Sequence, residues 1–276
     1  MSGTGTSVVL GDRDQYTAFA AHYDRILGSL DQRSQLYRSF FPSFLEQHGC
    51  QRVLDASCGT GVDSAILIEH GFEVVSIDAS MPMLKFAKKM KAEKAGDPRY
   101  DAWIIEQANW ETLPEDLAAF LPDTQFDAVV CLANSISHIL DDDGQQSAQR
   151  RCLANLARCV KPGGLLLVDH RNYDALLDGQ TPERNVYYEY HNPVEIKSTL
   201  VMENGIPKMI TMDFCVNQSK EEIAIRLSHY PHRVSSFSRL LRKACARASH
   251  RVFGDFLPEG TVPVPGFYLH VLNKWN

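Results

Sequence analysis

The segment from Val53 to Ser64 constrains the fold of this 276-residue chain more than any other. Val53 and Leu54 favour a strand, whereas the residues after Gly61 favour a helix. Between them, Gly59 and Gly61 let the backbone bend sharply and approach a ligand closely, because glycine has no Cβ atom. The segment therefore predicts a strand, a glycine turn and a helix in that order.

An acidic residue stands at the end of the second predicted strand. That strand covers Glu73–Ile77 and ends in Asp78, where a carboxylate can accept hydrogen bonds from both hydroxyls of a ribose. The glycine pattern is G-x-G and not G-x-G-x-x-G, since Ser64 replaces the third glycine, and no phosphate-binding lysine follows. Glycine turns are common in α/β proteins, so the glycines alone are weak evidence. Together with Asp78 they favour a nucleoside without a pyrophosphate, and S-adenosylmethionine (SAM) is the most obvious one.

Strand and helix patterns alternate from residue 52 to residue 169. The run Phe126–Cys131 is short and apolar, which is typical of a strand covered on both faces. The alternation predicts a doubly wound α/β fold with a mostly parallel, seven-stranded sheet. Its first five strands are expected at Arg52–Ala56, Glu73–Ile77, Ala102–Glu106, Phe126–Cys131 and Leu165–Asp169.

Four helices are expected around this sheet. Residues 34–48 carry aromatic side chains on one side, and Pro42 in their middle predicts a kinked or shortened helix. Ser80 is a suitable N-cap for a helix that runs to about Glu93. The other two helices are expected at Val62–Glu69 and Gly144–Val160.

The pattern changes after the fifth strand. Residues 185–231 alternate between apolar and polar, and Asn204-Gly205 predicts a tight hairpin turn. We expect an antiparallel insertion that covers the ends of the parallel strands, with strands at Thr199–Glu203, Lys208–Val216 and Ile223–His229. A helix at Ser235–Ala248 and strands at Val252–Phe256 and Gly266–Leu272 then complete the main sheet. The last of these strands is expected to be antiparallel. The predicted divisions are an N-terminal segment 1–33, a ligand-binding core 34–174, the insertion 175–234 and a C-terminal part 235–276.

The net charge of −6 argues against nucleic acid as the main partner. Five basic residues lie at roughly helical spacing, and a solvated helix face explains them better than a nucleic-acid patch. They are Arg239, Arg242, Lys243, Arg247 and Arg251.

There is no run of eighteen apolar residues and no signal peptide, so neither a membrane span nor export is expected. Seven scattered cysteines without a C-x-x-C pair indicate free thiols in a reducing, cytoplasmic compartment.

Polar groups gather where the parallel strands end, which is where ligands bind in open α/β sheets. Four stretches are expected to meet there: Asp55–Gly61, Asp78, Glu106–Trp110 and Cys131–Ser135. Asn109 is a candidate partner for the amino edge of an adenine. Trp110 offers a flat face or an indole N–H, unless it packs in the core. No cluster of histidines and cysteines in the sequence suggests a metal.

These stretches resemble the glycine N-methyltransferase family. The likeness runs from about Asp14 to Leu272. The glycine turn is generic to class I methyltransferases, whereas D-H-R-N-Y-D at 169–174 and N-V-Y-Y at 185–188 are more specific. The resemblance implies a class I, Rossmann-like fold and transfer of a methyl group from SAM to the amine of glycine, giving sarcosine. It also implies a homotetramer. The family's inhibition by folate is in doubt here, because the segment before Asp14 is shorter than in animal members of the family.

Arg171 matches the family residue that clamps the substrate carboxylate. The carboxylate is the best handle that glycine offers, and a forked guanidinium orients it better than a lysine does. The alternative is a structural ion pair with Asp169 or Asp174.

The resemblance implies three further residues on the acceptor side. Asn134 matches the residue that contacts the substrate amine, with a local turn bond as the alternative. Tyr188 matches a tyrosine that points at the sulfonium, and Tyr16 matches one near the substrate and the cofactor. No general base stands out, and none is assigned.

Residues from several segments make up the expected cofactor side. Tyr23 matches an aromatic residue against the cofactor, Arg33 an arginine on the methionyl carboxylate, and His138 a histidine beside the cofactor. The alternatives are a surface helix with packed tyrosines for the N-terminal residues and a core position for His138. The predicted set is Tyr16, Tyr23, Arg33, Ser57, Gly59, Gly61, Asp78, Asn109, Trp110, Leu132 and His138.

Three residues depart from the family pattern near the presumed acceptor pocket. Phe214 and His229 stand where the family has tyrosines, and Ala133 replaces a glycine. These changes leave sarcosine or another small amino acid open as the acceptor, as in the glycine/sarcosine enzymes of betaine synthesis.

Two other classes of protein function stay open. One is a nucleic-acid methyltransferase, which commonly carries N/D-P-P-Y/F where this chain has A-N-S-I at 133–136. The other is a non-catalytic protein that binds SAM or folate.

Overall fold

The computed structural model describes residues 20–23, 33–182, 186–189, 194–218 and 221–275, so Tyr16 and Asn185 lie outside the described residues. The helices are α1 (Ala20–Tyr23), α2 (Gln35–Gln47), α3 (Val62–Glu69), α4 (Met81–Glu93), α5 (Leu113–Ala118), α6 (Ser147–Arg158), α7 (Tyr173–Leu177) and α8 (Val234–Ala244). The strands are β1 (Arg52–Asp55), β2 (Glu73–Asp78), β3 (Ile104–Gln107), β4 (Phe126–Cys131), β5 (Val160–Arg171), β6 (Val194–Glu203), β7 (Ile206–Gln218), β8 (Glu221–His229), β9 (Ala248–Gly254), β10 (Leu257–Pro258) and β11 (Phe267–Lys274).

The main sheet has the strand order β10-β9-β11-β5-β4-β1-β2-β3. β1 pairs in parallel with β2 and β4, and the next strands outward, β3 and β5, are parallel as well. β11 is antiparallel to both β5 and β9. The predicted doubly wound, mostly parallel sheet with an antiparallel closing strand is confirmed. It has eight strands and not seven, because Leu257–Pro258 pairs with β9 as a short additional edge.

Side chains of the parallel strands alternate between two apolar layers, one on each face of the sheet. In β1, Val53 belongs to one layer and Leu54 to the other, and in β4 Val130 and Val129 divide in the same way. This follows from the two-residue period of a strand. Because both faces are covered, the strand ends are the place where a ligand can reach the sheet.

The helix predicted over residues 34–48 is present as α2 and is continuous. Ser34 Oγ accepts a hydrogen bond from the Tyr37 amide at 3.1 Å and caps α2. Pro42 was expected to kink or shorten this helix; α2 continues through Pro42, so the helix is not shortened there. The stacked rings of Phe40 and Phe44, with centres 5.4 Å apart, pack across this turn and support it.

The other predicted helices differ from the structure only at their ends, whereas α1, α5 and α7 were not predicted. α3 coincides with its predicted range, and α4 follows Ser80 as expected. α8 ends at Ala244, because Ala248 already pairs with Lys274 of β11. Among the helices of the described ranges, none combines the length and apolar character needed to cross a membrane.

β6, β7 and β8 form a separate three-stranded antiparallel sheet. Asn204 and Gly205 connect β6 to β7 with φ values of +52° and +77°, the left-handed backbone that a tight hairpin turn uses. The Tyr230 amide donates to the Ser137 carbonyl at 2.6 Å, which ties the end of β8 to the segment after β4. The predicted antiparallel insertion is therefore present, and it reaches the carboxyl ends of the parallel strands.

Candidate active site

The glycine turn joins β1 to α3 and is tied to the end of β2. Gly59 and Gly61 have φ values of +53° and +91°, in a region that residues with a side chain rarely adopt. The Gly59 amide donates to Asp78 Oδ2 at 2.9 Å. A Cβ atom on Gly61 would lie 2.9 Å from the Trp103 ring. The close approach of the Trp103 ring therefore requires glycine at position 61, and the left-handed backbone favours it at position 59.

A polar network that the sequence did not predict lies beneath this turn. Ser64 Oγ donates to Asp55 Oδ2 at 2.6 Å and is also hydrogen-bonded to Ser76 Oγ at 2.7 Å. Trp103 Nε1 donates to Ser76 Oγ at 2.6 Å. Burial raises the pKa of Asp55 to about 7. Ser64, which interrupts the longer glycine pattern, thus links β1 to β2.

A large cavity opens at the carboxyl ends of the parallel strands. It spans about 1770 Å³, its open mouth included, which is ample for a nucleoside. The cavity brings together predicted cofactor residues from segments that are far apart in the sequence. Those that line it are Tyr23, Arg33, Ser57, Gly59, Asp78, Asn109, Trp110 and His138.

Two predicted cofactor residues do not line the cavity. Gly61 faces the Trp103 ring on the other side of the turn. The Leu132 side chain is buried in the apolar layer, while its amide donates to Ser57 Oγ at 3.2 Å. Direct contact of Gly61 and Leu132 with the cofactor stays a prediction.

The Asp78 carboxylate is oriented by backbone amides. Its Oδ1 accepts the Ser80 amide at 2.8 Å and its Oδ2 accepts the Gly59 amide at 2.9 Å. Burial raises its pKa above the usual range, and the backbone hydrogen bonds oppose this effect. A carboxylate has about four acceptor sites, so capacity for the hydroxyls of a ribose remains.

Asn109 and Trp110 have local partners in addition to their place on the cavity wall. Asn109 Oδ1 accepts the Glu111 amide at 2.9 Å and caps a short 3₁₀ helix. Trp110 Nε1 donates to the Ala56 carbonyl at 2.6 Å. The indole N–H is therefore engaged within the protein, which leaves the flat face of Trp110 for a ligand.

Arg33 is buried and paired with a carboxylate, which the sequence did not predict. Its Nε and one terminal nitrogen donate to the two oxygens of Asp63 at 2.9 and 3.1 Å. Its guanidinium carbon lies 5.2 Å from the Tyr37 ring centre and 4.9 Å from that of Tyr188. A methionyl carboxylate at this place would have to share the guanidinium with Asp63.

A smaller hollow adjoins the large cavity. It spans about 370 Å³, its opening to the solvent included. Tyr23, Ala133 and His138 line both spaces, so the two are neighbours. The hollow collects the described acceptor-side candidates and all three departures from the family pattern. Its other lining residues are Asn134, Arg171, Tyr188, Phe214, Leu227, His229 and Phe267.

Arg171 ends β5, and its side chain lines this hollow, where the guanidinium carbon lies 5.0 Å from the Phe267 ring centre. Neither carboxylate considered as a structural partner binds it. Asp169 accepts two backbone amides from the segment after β4, and Asp174 pairs with Arg233 at 3.1 Å. Within the ranges that the structure describes, the Arg171 guanidinium forms no ion pair and no hydrogen bond. Its donors are thus available to an anion in the hollow.

The Asn134 side chain is engaged within the protein. Its Oδ1 accepts the Arg171 amide at 2.9 Å and the Ser137 hydroxyl at 3.0 Å, and its Nδ2 donates to the Tyr173 hydroxyl at 2.9 Å. A carbonyl oxygen has two lone pairs, so both are filled. Two of these partners lie on β5 and α7, so Asn134 supports Arg171, and its contact with a substrate amine stays a prediction.

The backbone before Asn134 is strained. Ala133 and Asn134 have φ values of +59° and +66°. The Asp169 carboxylate holds this bend, since it accepts the two amides at 3.0 and 2.7 Å, and burial raises its pKa to about 7. A left-handed alanine costs about 1–2 kcal/mol, which explains why a glycine suits position 133.

Two histidines face each other at the hollow. His138 ends the 3₁₀ helix Ser135–His138, His229 ends β8, and their ring centres are 4.5 Å apart. Burial lowers the pKa of His138 to about 4. Burial, helped by the charge of Arg171, lowers the pKa of His229 well below its usual range. Both imidazoles are therefore neutral at pH 7.

Behind Arg171, three histidines form a hydrogen-bonded chain. His170 Nδ1 bonds to the Arg171 carbonyl at 2.7 Å, and its Nε2 to His270 Nε2 at 3.0 Å. His270 Nδ1 in turn bonds to His250 Nε2 at 3.0 Å. Because a carbonyl only accepts, His170 carries its hydrogen on Nδ1, and His270 and His250 carry theirs on Nε2. The chain depends on the register of β5, β11 and β9, which the sequence alone does not give.

Comparisons with known proteins agree with this geometry. A family model described as a methyltransferase domain matches residues 53–164. The chain is 42% identical to the glycine N-methyltransferase of Mus musculus, over 95% of this chain and 93% of that protein. It is 29% identical to the glycine/sarcosine N-methyltransferase of Aphanothece halophytica, over 95% of this chain and 92% of that protein. Among solved structures, the CcbJ methyltransferase from Streptomyces caelestis superposes with a TM-score of 0.71 at 15% identity, covering 96% of this chain and 100% of that one.

Proposed function

Since the chain belongs to the glycine N-methyltransferase family, we propose that it transfers a methyl group from SAM to the amine of glycine, releasing sarcosine and S-adenosylhomocysteine. One observation carries this proposal: the Arg171 guanidinium lines a small hollow that adjoins a nucleoside-sized cavity. A cation with available donors suits a carboxylate, and the small size of the hollow suits an acceptor such as glycine.

The residues of the large cavity fit SAM. Asp78 would accept the ribose hydroxyls, Trp110 would lie flat against the adenine, and Arg33 would bind the methionyl carboxylate beside Asp63. The glycine turn offers no lysine for a phosphate, which agrees with a cofactor that has none. When bound, SAM supplies a methyl group on a sulfonium, which is a strong electrophile.

The part of this chain in the reaction is to hold and orient the acceptor. Arg171 binds the carboxylate, so the amine is directed toward the wall that Ala133 and His138 share with the large cavity. Phe214 and Phe267 help to exclude water from the hollow. Holding two reactants in line supplies about 7–11 kcal/mol of barrier reduction at most. The amine reacts in its neutral form, after losing its proton to water.

Sarcosine is a second candidate acceptor, and one observation favours it. Phe214 is buried and lines the hollow, where it gives an apolar wall in place of a tyrosine hydroxyl. An apolar wall suits an N-methyl group. The relative from Aphanothece halophytica, named for both glycine and sarcosine, is in line with this extension.

We place the enzyme in the cytoplasm and in one-carbon metabolism, as a homotetramer. The tetramer rests on the family resemblance, with the N-terminal segment 1–33 contributing Tyr16 to the site and taking part in assembly. Exposed apolar side chains at the β6–β7 hairpin, namely Leu200, Met202 and Ile206, offer a surface for such contacts. Sedimentation of the purified chain tests this: a monomer at micromolar concentration contradicts it.

An acceptor screen tests the proposed reaction. The purified chain is incubated with methyl-labelled SAM and glycine, sarcosine, other small amino acids or RNA. We expect label in sarcosine from glycine. Label in RNA would identify a nucleic-acid methyltransferase instead, and tight SAM binding without turnover of any acceptor would identify a non-catalytic binding protein.

A further inference from the structure

The side chain of His229 has an unexplained polar group at the acceptor hollow. His229 is 2% exposed and lines the hollow together with Arg171. Its Nδ1 is buried without a partner, and its ring forms no hydrogen bond with any part of the chain that the structure describes. A buried polar group without a partner is unfavourable, so a ligand that supplies the missing hydrogen bond would be favoured here.

The other side chains of the hollow are less suited to receive an amine, and His138 is already hydrogen-bonded to the Ser228 backbone. Both lone pairs of Asn134 Oδ1 are taken by the Arg171 amide and the Ser137 hydroxyl. Phe214, Leu227 and Phe267 are apolar. Tyr188 lies against the Arg33 guanidinium, and Tyr23 is hydrogen-bonded to it.

The imidazole of His229 is kept in the form that can accept a hydrogen bond. Burial, the neighbouring His138 ring and the Arg171 charge all lower its pKa. The ring is therefore neutral throughout the working range of pH, with a hydrogen on one nitrogen and a lone pair on the other. With the hydrogen on Nε2, the lone pair lies on Nδ1, the nitrogen that has no partner within the described residues.

We propose that His229 binds the amine of the acceptor amino acid, accepting a hydrogen bond from one of its N–H groups while Arg171 binds the carboxylate. This inference rests on the proposed function. Contacts at both ends of the acceptor fix its rotation, so the nitrogen lone pair is turned toward the methyl donor. A secondary amine keeps one N–H for this contact, whereas a neutral tertiary amine has none. His229 therefore selects glycine and sarcosine over dimethylglycine.

The test compares an acceptor that has an amine with a probe that lacks one. Acetate carries only the carboxylate and serves as a competitive inhibitor against glycine. In His229→Phe, which keeps a ring of similar size, we expect glycine kcat/KM to fall about 10- to 100-fold, the loss of one buried hydrogen bond. The acetate inhibition constant should change less than about 2-fold. His229→Gln, which restores an acceptor, should recover part of the lost activity.

His232→Phe is the matched control. His232 is also a buried histidine, both of its ring nitrogens lack a partner within the described residues, and it does not line the hollow. Its substitution should leave the ratio of glycine to acetate affinity unchanged. Glycine kinetics unaltered in His229→Phe, or equal losses for glycine and acetate, would overturn the proposal.

The outcome can be separated from failure of the proposed reaction. Calorimetry on the chain loaded with S-adenosylhomocysteine measures glycine and acetate affinity without turnover. Glycine binding that weakens in His229→Phe while acetate binding persists supports the amine contact even if no methyl transfer is detected. Equal glycine affinity in the wild type and in both His229 variants refutes it.

Discussion

Replacing Arg171 with lysine should raise the KM for glycine strongly while SAM affinity stays the same. The wild-type guanidinium can give a carboxylate two charged hydrogen bonds, and lysine keeps the charge but loses the forked geometry. Loss of one charged hydrogen bond costs about 1.5–3 kcal/mol, which corresponds to about a 10- to 150-fold higher KM. No ion pair is broken, because the Arg171 guanidinium has no carboxylate partner within the described residues.

The fold should tolerate this substitution. The Arg171 amide and carbonyl, which bond to Asn134 and His170, are unaffected by a change of side chain. Steady-state kinetics with glycine and calorimetry with SAM give the two quantities. Arg233→Lys is the matched control, because Arg233 lies nearby but pairs with Asp174 and Asp178, and its glycine KM should stay close to that of the wild type. An unchanged glycine KM in Arg171→Lys would remove Arg171 from the carboxylate site.

Three further predictions concern the cofactor site and stability. Asp78→Ala removes the acceptor for the ribose hydroxyls and should weaken SAM binding about 10-fold or more in calorimetry; equal SAM affinity would contradict the ribose contact. Ala133→Gly should raise the free energy of unfolding by about 1 kcal/mol, because it relieves a left-handed alanine, and the melting temperature by about 2–4 °C; a lower melting temperature would contradict the strain. The folded-state pKa of Asp55, about 7, lies above the unfolded value of about 3.9. The favourable contribution of Asp55 to the free energy of unfolding is therefore full below about pH 4 and is lost as the pH rises to about 7. Relative to Asp55→Asn, the wild type should thus lose about 2–3 kcal/mol of unfolding free energy between pH 5 and pH 8 in urea titrations, and a difference that does not vary with pH would contradict the raised pKa.

Local signals in the sequence were sufficient for the framework of the fold. The glycine turn, the N-cap Ser80 and the Asn204-Gly205 hairpin each depend on residues within a few positions of one another, and all three are found. Asp78 was predicted at the end of β2, and the structure places it there, against the cavity.

The contacts that the sequence did not predict depend on the direction of a side chain or on distant partners. Gly61 and Leu132 lie in the expected segments, but whether they face the cavity is decided by their packing against distant segments, as the Trp103 ring shows for Gly61. The pairing of Arg33 with Asp63 spans thirty residues. The histidine chain needs the register of three strands. Such contacts arise from tertiary packing, for which a single sequence carries no local pattern.

The central claim is that Arg171 holds a small carboxylate beside the methyl donor. A crystal structure of the chain with S-adenosylhomocysteine and acetate tests it most directly. The account predicts the adenosyl group in the large cavity with its ribose on Asp78, and the acetate carboxylate within hydrogen-bond distance of the Arg171 guanidinium. Acetate bound away from Arg171, or an adenosyl group outside the cavity beside Gly59, would contradict the account.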